Sequence, residues 1–138
     1  MKVNHQPKLK ELAQRLLDSE AAGCKSANAE ETAAFRVCEK LRGPLAKFIG
    51  GIGFRSLLSR ALVLASAEVP ALRELQIKAD GSLEGVHELE QKLDPRAAAE
   101  GEVVLVSQVL GLLVTFIGAG STISILRKIW PELDDLNF

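Results

Sequence analysis

The chain has 138 residues, 47% of them hydrophobic, with a formal net charge of −1. This length fits one compact domain, and the composition excludes wholesale disorder. A near-zero net charge gives no general attraction to nucleic acid or acidic lipid, and 4% aromatic residues with no tyrosine argue against a base-stacking surface. Two cysteines and two histidines are too few for a four-ligand zinc site without carboxylates, so no metal is expected.

The amino terminus is polar and leads into a charged helix, which indicates no signal peptide and favours a cytoplasmic protein. Residues 1–7 are expected to be flexible ahead of a single helical domain. Neither Cys24, in a predicted turn, nor Cys38, on an apolar helical face, has a basic or histidine partner within a motif. Both are predicted to be reduced structural thiols, although a disulfide between them stays open from sequence alone.

Apolar residues recur at helical spacing over residues 8–22, which predicts an amphipathic first helix. A second helix is predicted to open at Asn28 and Glu31, whose spacing is typical of a capping pair. Its apolar stripe, expected to lie in the core, consists of Ala34, Val37, Cys38, Leu41, Leu45, Phe48 and Ile49.

Breaks are predicted at three points in the next part of the chain. The Gly43-Pro44 step predicts a kink or break in the second helix, because proline lacks an amide donor and clashes with the preceding turn. Gly50 and the glycines after it are expected to end that helix. A third helix is predicted over residues 54–67, bounded by Pro70.

Alternating apolar and polar residues around Asp80-Gly81 predict a small β-hairpin near residues 75–84. A two-stranded ribbon is marginal alone, so it must pack on the helices. After a short helix, Asp94-Pro95 predicts a new helix start, because aspartate caps free amides and proline suits the first position.

Residues 103–126 carry no charge, a run long enough to cross a bilayer, which takes ~20 apolar residues. Glycines and polar residues interrupt the run, however. We therefore favour a central helix over residues 95–117, buried on most of its circumference. The alternative is a membrane-active or pore-forming protein that exposes residues 103–126 on a trigger.

Residues 41–60 and 109–128 match at an offset of 68 positions. Gly-Pro-Leu-Ala-Lys-Phe-Ile-Gly begins at Gly43, and Gly-Leu-Leu-Val-Thr-Phe-Ile-Gly begins at Gly111. Each copy reads as a helix, a Phe-Ile-Gly break and an amphipathic helix with a basic end. A true repeat predicts a pseudo-symmetric bundle. The alternative is chance similarity between two leucine- and glycine-rich helices.

Residues 36–60 carry a net charge of +5, whereas residues 61–102 carry −5. The candidates for a basic, phosphate-binding patch are Arg36, Lys40, Lys47, Arg55 and Arg60. No aromatic residues are interleaved and no reading motif is present, so a solvated or internally paired face is favoured. A small nucleic-acid-associated subunit is the second alternative.

The sequence contains no phosphate loop, no nucleophile elbow and no carboxylate pair in an apolar setting. We therefore predict that the protein is not an enzyme and has no cofactor. The tail over residues 130–138 is apolar and acidic. Its candidate partner-binding residues are Trp130, Pro131, Leu133, Leu136 and Phe138.

Taken as a whole, these patterns predict an all-α bundle of five to six helices with a small hairpin. The favoured function is a non-catalytic helical interaction module, an adaptor that binds a protein partner or self-associates. In the alternative for the tail, residues 130–138 fold back on their own bundle.

Overall fold

Six α-helices and a two-stranded sheet make up the computed structural model, which describes residues 6–23 and 32–133. In chain order the elements are α1 (Gln6–Gly23), α2 (Ala33–Ile49), α3 (Gly51–Glu68), a 3₁₀ turn (Pro70–Glu74), β1 (Gln76–Ile77), β2 (Leu83–Glu84), α4 (Val86–Lys92), α5 (Pro95–Ile117) and α6 (Ala119–Ile129). The predicted all-α bundle with a small hairpin is confirmed.

Helix α5 is the central element and packs against α1, α3 and α6. The side chain of Asp94 caps it by accepting a hydrogen bond from the amide of Ala97 at 2.7 Å, and Pro95 takes the first helical position. Its bounds agree with the prediction. Among the described residues α5 alone is long and apolar enough to span a membrane, by length and composition only. Only 44% of its most apolar 18-residue window is buried, so burial on most of its circumference was an overestimate.

Helix α2 begins later than predicted. The hydroxyl oxygen of Thr32 accepts a hydrogen bond from the amide of Phe35 at 3.2 Å and caps the helix, which starts at Ala33. Asn28 and Glu31, the predicted capping pair, lie outside the described residues.

Of the predicted kink or break at Gly43-Pro44, the break is wrong, because α2 runs through Pro44, which is exposed. Helix α1 also starts earlier than expected, at Gln6 and not at residue 8.

The hairpin is confirmed. Strands β1 and β2 pair antiparallel, with Gln76 opposite Glu84 and Ile77 opposite Leu83. Gly81 in the turn has φ +90°, a conformation that L side chains rarely adopt.

The hairpin packs on α2 and α3, as a two-stranded ribbon must. A Cβ at the turn glycine would lie 3.4 Å from the ring of Phe54. Arg42 donates to the carbonyl of Asp80 and Arg55 to the carbonyl of Lys78, each at 3.3 Å. Two arginines of the basic region thus hold the hairpin against the bundle.

The two copies of the sequence repeat share the same helix break. Gly50 has φ 86° and ψ 158°, and Gly118 has φ 91° and ψ 158°. The amide of Gly50 donates to Ala46 at 2.8 Å, and the amide of Gly118 donates to Val114 at 3.0 Å. Each break therefore ends one helix and starts the next with matching backbone hydrogen bonds.

Burial also matches between the copies. Leu45 and its counterpart Leu113 are fully buried, whereas Phe48 and Phe116 are 55% and 61% exposed. The fold thus uses a helix, a glycine break and a second helix twice, at matching positions of the two segments.

The backbone at these breaks lies in a region that is essentially restricted to glycine. We expect Gly118→Ala to lower the free energy of unfolding by about 1–3 kcal/mol. Gly51→Ala is the matched control, because Gly51 has no positive φ and an added Cβ meets nothing within 4 Å. Gly51→Ala should leave stability unchanged or raise it by up to ~1 kcal/mol. Urea titration followed by circular dichroism measures both, and equal effects would contradict the assignment.

Candidate functional site

A surface groove of about 780 Å³ lies between the second half of α2 and α6, and we call it the α2–α6 groove. Its lining residues are Gly43, Pro44, Lys47, Phe48, Gly120, Ser121, Ser124, Ile125 and Lys128. A second, smaller cavity of about 440 Å³ is lined by Leu62, Val63, Ser66, Ala67 and Arg73. The α2–α6 groove combines apolar side chains, small residues and charge, and it is the better candidate for a binding site.

Phe48 is the main apolar side chain of the groove. The sequence pattern predicted it in the core, which is wrong, because more than half of its surface is exposed. The buried stripe of α2 continues from Leu45 through Ile49, which packs partly against the core, and Phe48 lies at the edge of that stripe. The matching exposure of Phe116 indicates that a phenylalanine two residues before each glycine break is left outside the core.

The ionisable residues that line the groove are both cationic. Lys47 lies on the α2 wall and Lys128 near the end of α6, and both are exposed. Within residues 6–23 and 32–133, neither lysine forms an ion pair. The groove therefore presents positive charge beside an exposed aromatic ring.

A buried carboxylate joins α1, α2 and the end of α6. Glu20 is 2% exposed and accepts hydrogen bonds from the indole N–H of Trp130 at 2.9 Å and from Nε of Arg36 at 3.2 Å. Nζ of Lys40 pairs with the same carboxylate at 2.5 Å and lies 5.8 Å from the centroid of the Trp130 ring. Burial raises the pKa of Glu20, but the hydrogen bonds from Lys40 and Trp130 outweigh it, so the net pKa is lowered.

Of the candidate partner-binding residues in the tail, the structure describes Trp130, Pro131 and Leu133. Trp130 is fully buried, so its predicted role as an exposed anchor is wrong for this fold. Leu133 packs partly against the core, with its amide bonded to the carbonyl of Trp130 at 3.0 Å. Pro131 is exposed, and Leu136 and Phe138 lie outside the described residues. The hydrogen-bond partner of the Trp130 indole is Glu20, which is 110 positions away and therefore beyond any local sequence pattern.

The five basic candidate residues have different contacts and positions in the fold. Arg36 and Lys40 pair with Glu20, and Arg55 holds the hairpin. Lys47 lines the groove and Arg60 is exposed on α3. These positions support the internally paired face over a single phosphate-binding patch.

Glu102 is the most perturbed carboxyl group in the described chain, and sequence reasoning missed it. It is buried on α5 and shares a hydrogen bond with Glu90 of α4. Burial raises the pKa of Glu102, and the hydrogen bond and charge of Glu90 raise it further. Protonated Glu102 donates to Glu90, and neither residue lines either of the two cavities described above.

The described cysteine is not a reactive one. Burial, with a smaller effect of the Glu39 charge, raises the pKa of the Cys38 thiol to about 12. A thiol with so high a pKa is poorly nucleophilic at neutral pH. Cys24 lies outside the described residues. Within the described ranges, no group of three or more His, Cys, Asp or Glu side chains could hold a metal ion.

The Glu20–Trp130 contact predicts that Trp130 has a structural role. We expect Trp130→Ala to lower the free energy of unfolding by about 3–5 kcal/mol, because it leaves a large cavity. Trp130→Phe keeps most of the ring and removes only the N–H donor, so it should cost about 1–3 kcal/mol. Urea titration of the two variants measures both losses in the free energy of unfolding. An unchanged melt for Trp130→Ala would show that residues from 130 onward are detached from the bundle.

The raised pKa of Glu102 predicts that stability falls with rising pH. The pKa of Glu102 is raised from 4.5 to about 9, so the folded chain keeps a proton that the unfolded chain releases. The contribution to stability is therefore full below pH 4.5 and is lost progressively as pH rises toward about 9. We expect Glu102→Gln to raise the free energy of unfolding at pH 8 by about 0.5–3 kcal/mol and to change it little at pH 4.

Glu88→Gln is the matched control, since Glu88 is exposed on the same short helix as Glu90. It should leave the pH profile as it is in the natural chain. Urea titrations across this pH range measure all three proteins, and a Glu102→Gln profile parallel to that of the natural chain would contradict the assignment.

Comparison with protein-family models, curated proteins and solved structures found no match to this chain. The argument for function therefore depends on the chain's own surfaces and buried groups. Of these, the α2–α6 groove is open to a ligand, whereas Glu20 is enclosed by residues that hold the fold together.

Proposed function

We propose that the protein is a helical interaction module that binds another protein chain in the α2–α6 groove. The observation that carries the proposal is the exposure of Phe48 at a concave surface beside two lysines. Aromatic side chains in pockets contribute heavily to protein–protein binding. More than half of the Phe48 surface is exposed, and a partner that covers it would bury this apolar area.

The chemistry of the rest of the described chain supports a binding role over catalysis. The two groups with strongly raised pKa values, Glu102 and Cys38, are buried and do not line the groove. The groove itself offers lysines, serines, glycines and apolar side chains, with no acid–base pair or nucleophile beside an activating base. Such a lining suits recognition of a surface more than a reaction.

A membrane-active protein is the second candidate, because α5 is long and apolar enough to span a bilayer and ends beside exposed Phe116. Release of α5 from the bundle would have to separate it from α1 and α3. Stable association of the purified chain with neutral lipid vesicles, resistant to alkaline carbonate, would favour this candidate over the interaction module.

The interaction module is tested by a photo-crosslinking phenylalanine analogue placed at Phe48 and, as a matched control, at Val63 in the smaller cavity. We expect a protein adduct from position 48 in cells and none from position 63. Ile125→Asp in the opposite wall should abolish the adduct, because it places a charge on the apolar contact surface. An adduct from position 63 alone, or one that persists with Ile125→Asp, would contradict the proposal.

A further inference from the structure

We propose that the occupant of the α2–α6 groove is an amphipathic helix of a partner protein, with acidic residues beside its apolar face. This inference depends on the proposed function and adds the chemistry and the shape of the bound segment. Its support comes from the groove's glycines, from the repeat and from the two lysines.

The glycines of the groove are not needed by the chain's own packing. A Cβ built on Gly43 or on Gly120 meets nothing within 4 Å. Both lie in helices, where glycine is less favourable than alanine, and neither has a positive φ. The fold itself does not require a small residue at either position. Close approach of another backbone would explain why glycine is present there.

In the second copy of the repeat, the corresponding glycine is covered by a side chain of another helix. The counterpart of Gly43 is Gly111 on α5, and a Cβ there would lie 3.4 Å from Cδ1 of Leu9 on α1. An amphipathic helix of this chain thus packs a leucine onto Gly111. Gly43 has no such neighbour within 4 Å in the described structure. By this likeness, a helix from another chain with an apolar face suits the position at Gly43.

The positive charge of the groove predicts which residues the bound helix has beside its apolar face. Lys47 and Lys128 are on its two walls, with Phe48 and Ile125 as apolar contacts. A helix laid in a groove uses apolar residues spaced three and four apart, and its polar neighbours then meet the walls. Glutamate or aspartate at those flanking positions would pair with the lysines, whereas lysine or arginine would be repelled.

The test uses a synthetic helix of about 18 residues, with leucines at three- and four-residue spacing and glutamates beside them. A second peptide carries lysine in place of every glutamate. We expect fluorescence anisotropy to show that the full chain binds the glutamate peptide at least tenfold more tightly. Lys47→Glu with Lys128→Glu should reverse that preference, while Arg60→Glu with Lys78→Glu, matched in charge but outside the groove, should not.

The glycines are tested in the same assay. Gly43→Ala with Gly120→Ala should weaken binding of the glutamate peptide at least tenfold by blocking close approach. The melting temperature should stay the same or rise, because alanine favours helix formation. Gly51→Ala, outside the groove, should bind as the natural chain does. Undiminished binding by the doubly substituted chain would overturn the close-packed helix.

Other occupants give distinct results. Equal binding of both peptides overturns the acidic chemistry, and tighter binding to vesicles of anionic lipid than to either peptide overturns the protein helix. Concentration-dependent dimers that Gly43→Ala disrupts would make a second copy the occupant. A tenfold gain in peptide binding with Asp134→Asn and Asp135→Asn would make the chain's own tail the occupant. If the peptide fails while position 48 still crosslinks, the interaction module stands and the acidic helix does not.

Discussion

Two glycine breaks decide how the chain can fold into a bundle. Gly50 and Gly118 adopt nearly the same φ and ψ, in a region closed to other residues, and each redirects the backbone between two helices. Without these breaks, α2 and α3 would form one long rod, as would α5 and α6. The glycines let each pair fold on itself and bury Leu45 and Leu113 in a common core.

The segments before the two glycine breaks also have apolar side chains exposed on the surface. Each helix that ends at a break has an exposed phenylalanine two positions before it, Phe48 in α2 and Phe116 in α5. At the other end of the bundle, Glu20 fixes α1, α2 and Trp130 together. Trp130 is thus held inside at the end of α6, while the aromatic ring of Phe48 is left exposed between helices.

Local patterns were sufficient for most of the fold. Neighbouring residues determine the helical periodicity, the start of α5 at Asp94-Pro95 and the hairpin turn at Asp80-Gly81. The sequence therefore predicts these features correctly. Phe48 was placed in the core because a periodic stripe cannot show where the bundle stops covering it. The burial of Trp130 and the pairing of Glu102 depend on residues brought together by the tertiary fold, which no local pattern contains.

Trp130 is the single tryptophan of the chain, and its burial makes it an internal optical reporter. An enclosed indole emits at shorter wavelength than one in water, so fluorescence follows the closure of the C-terminal end without any label. Lys40 lies 5.8 Å from the ring centroid, so a change in the charges around Glu20 would also alter the field felt by the indole. With no tyrosine in the chain, the emission comes from this one site. Quenching by iodide would then report how often that end opens.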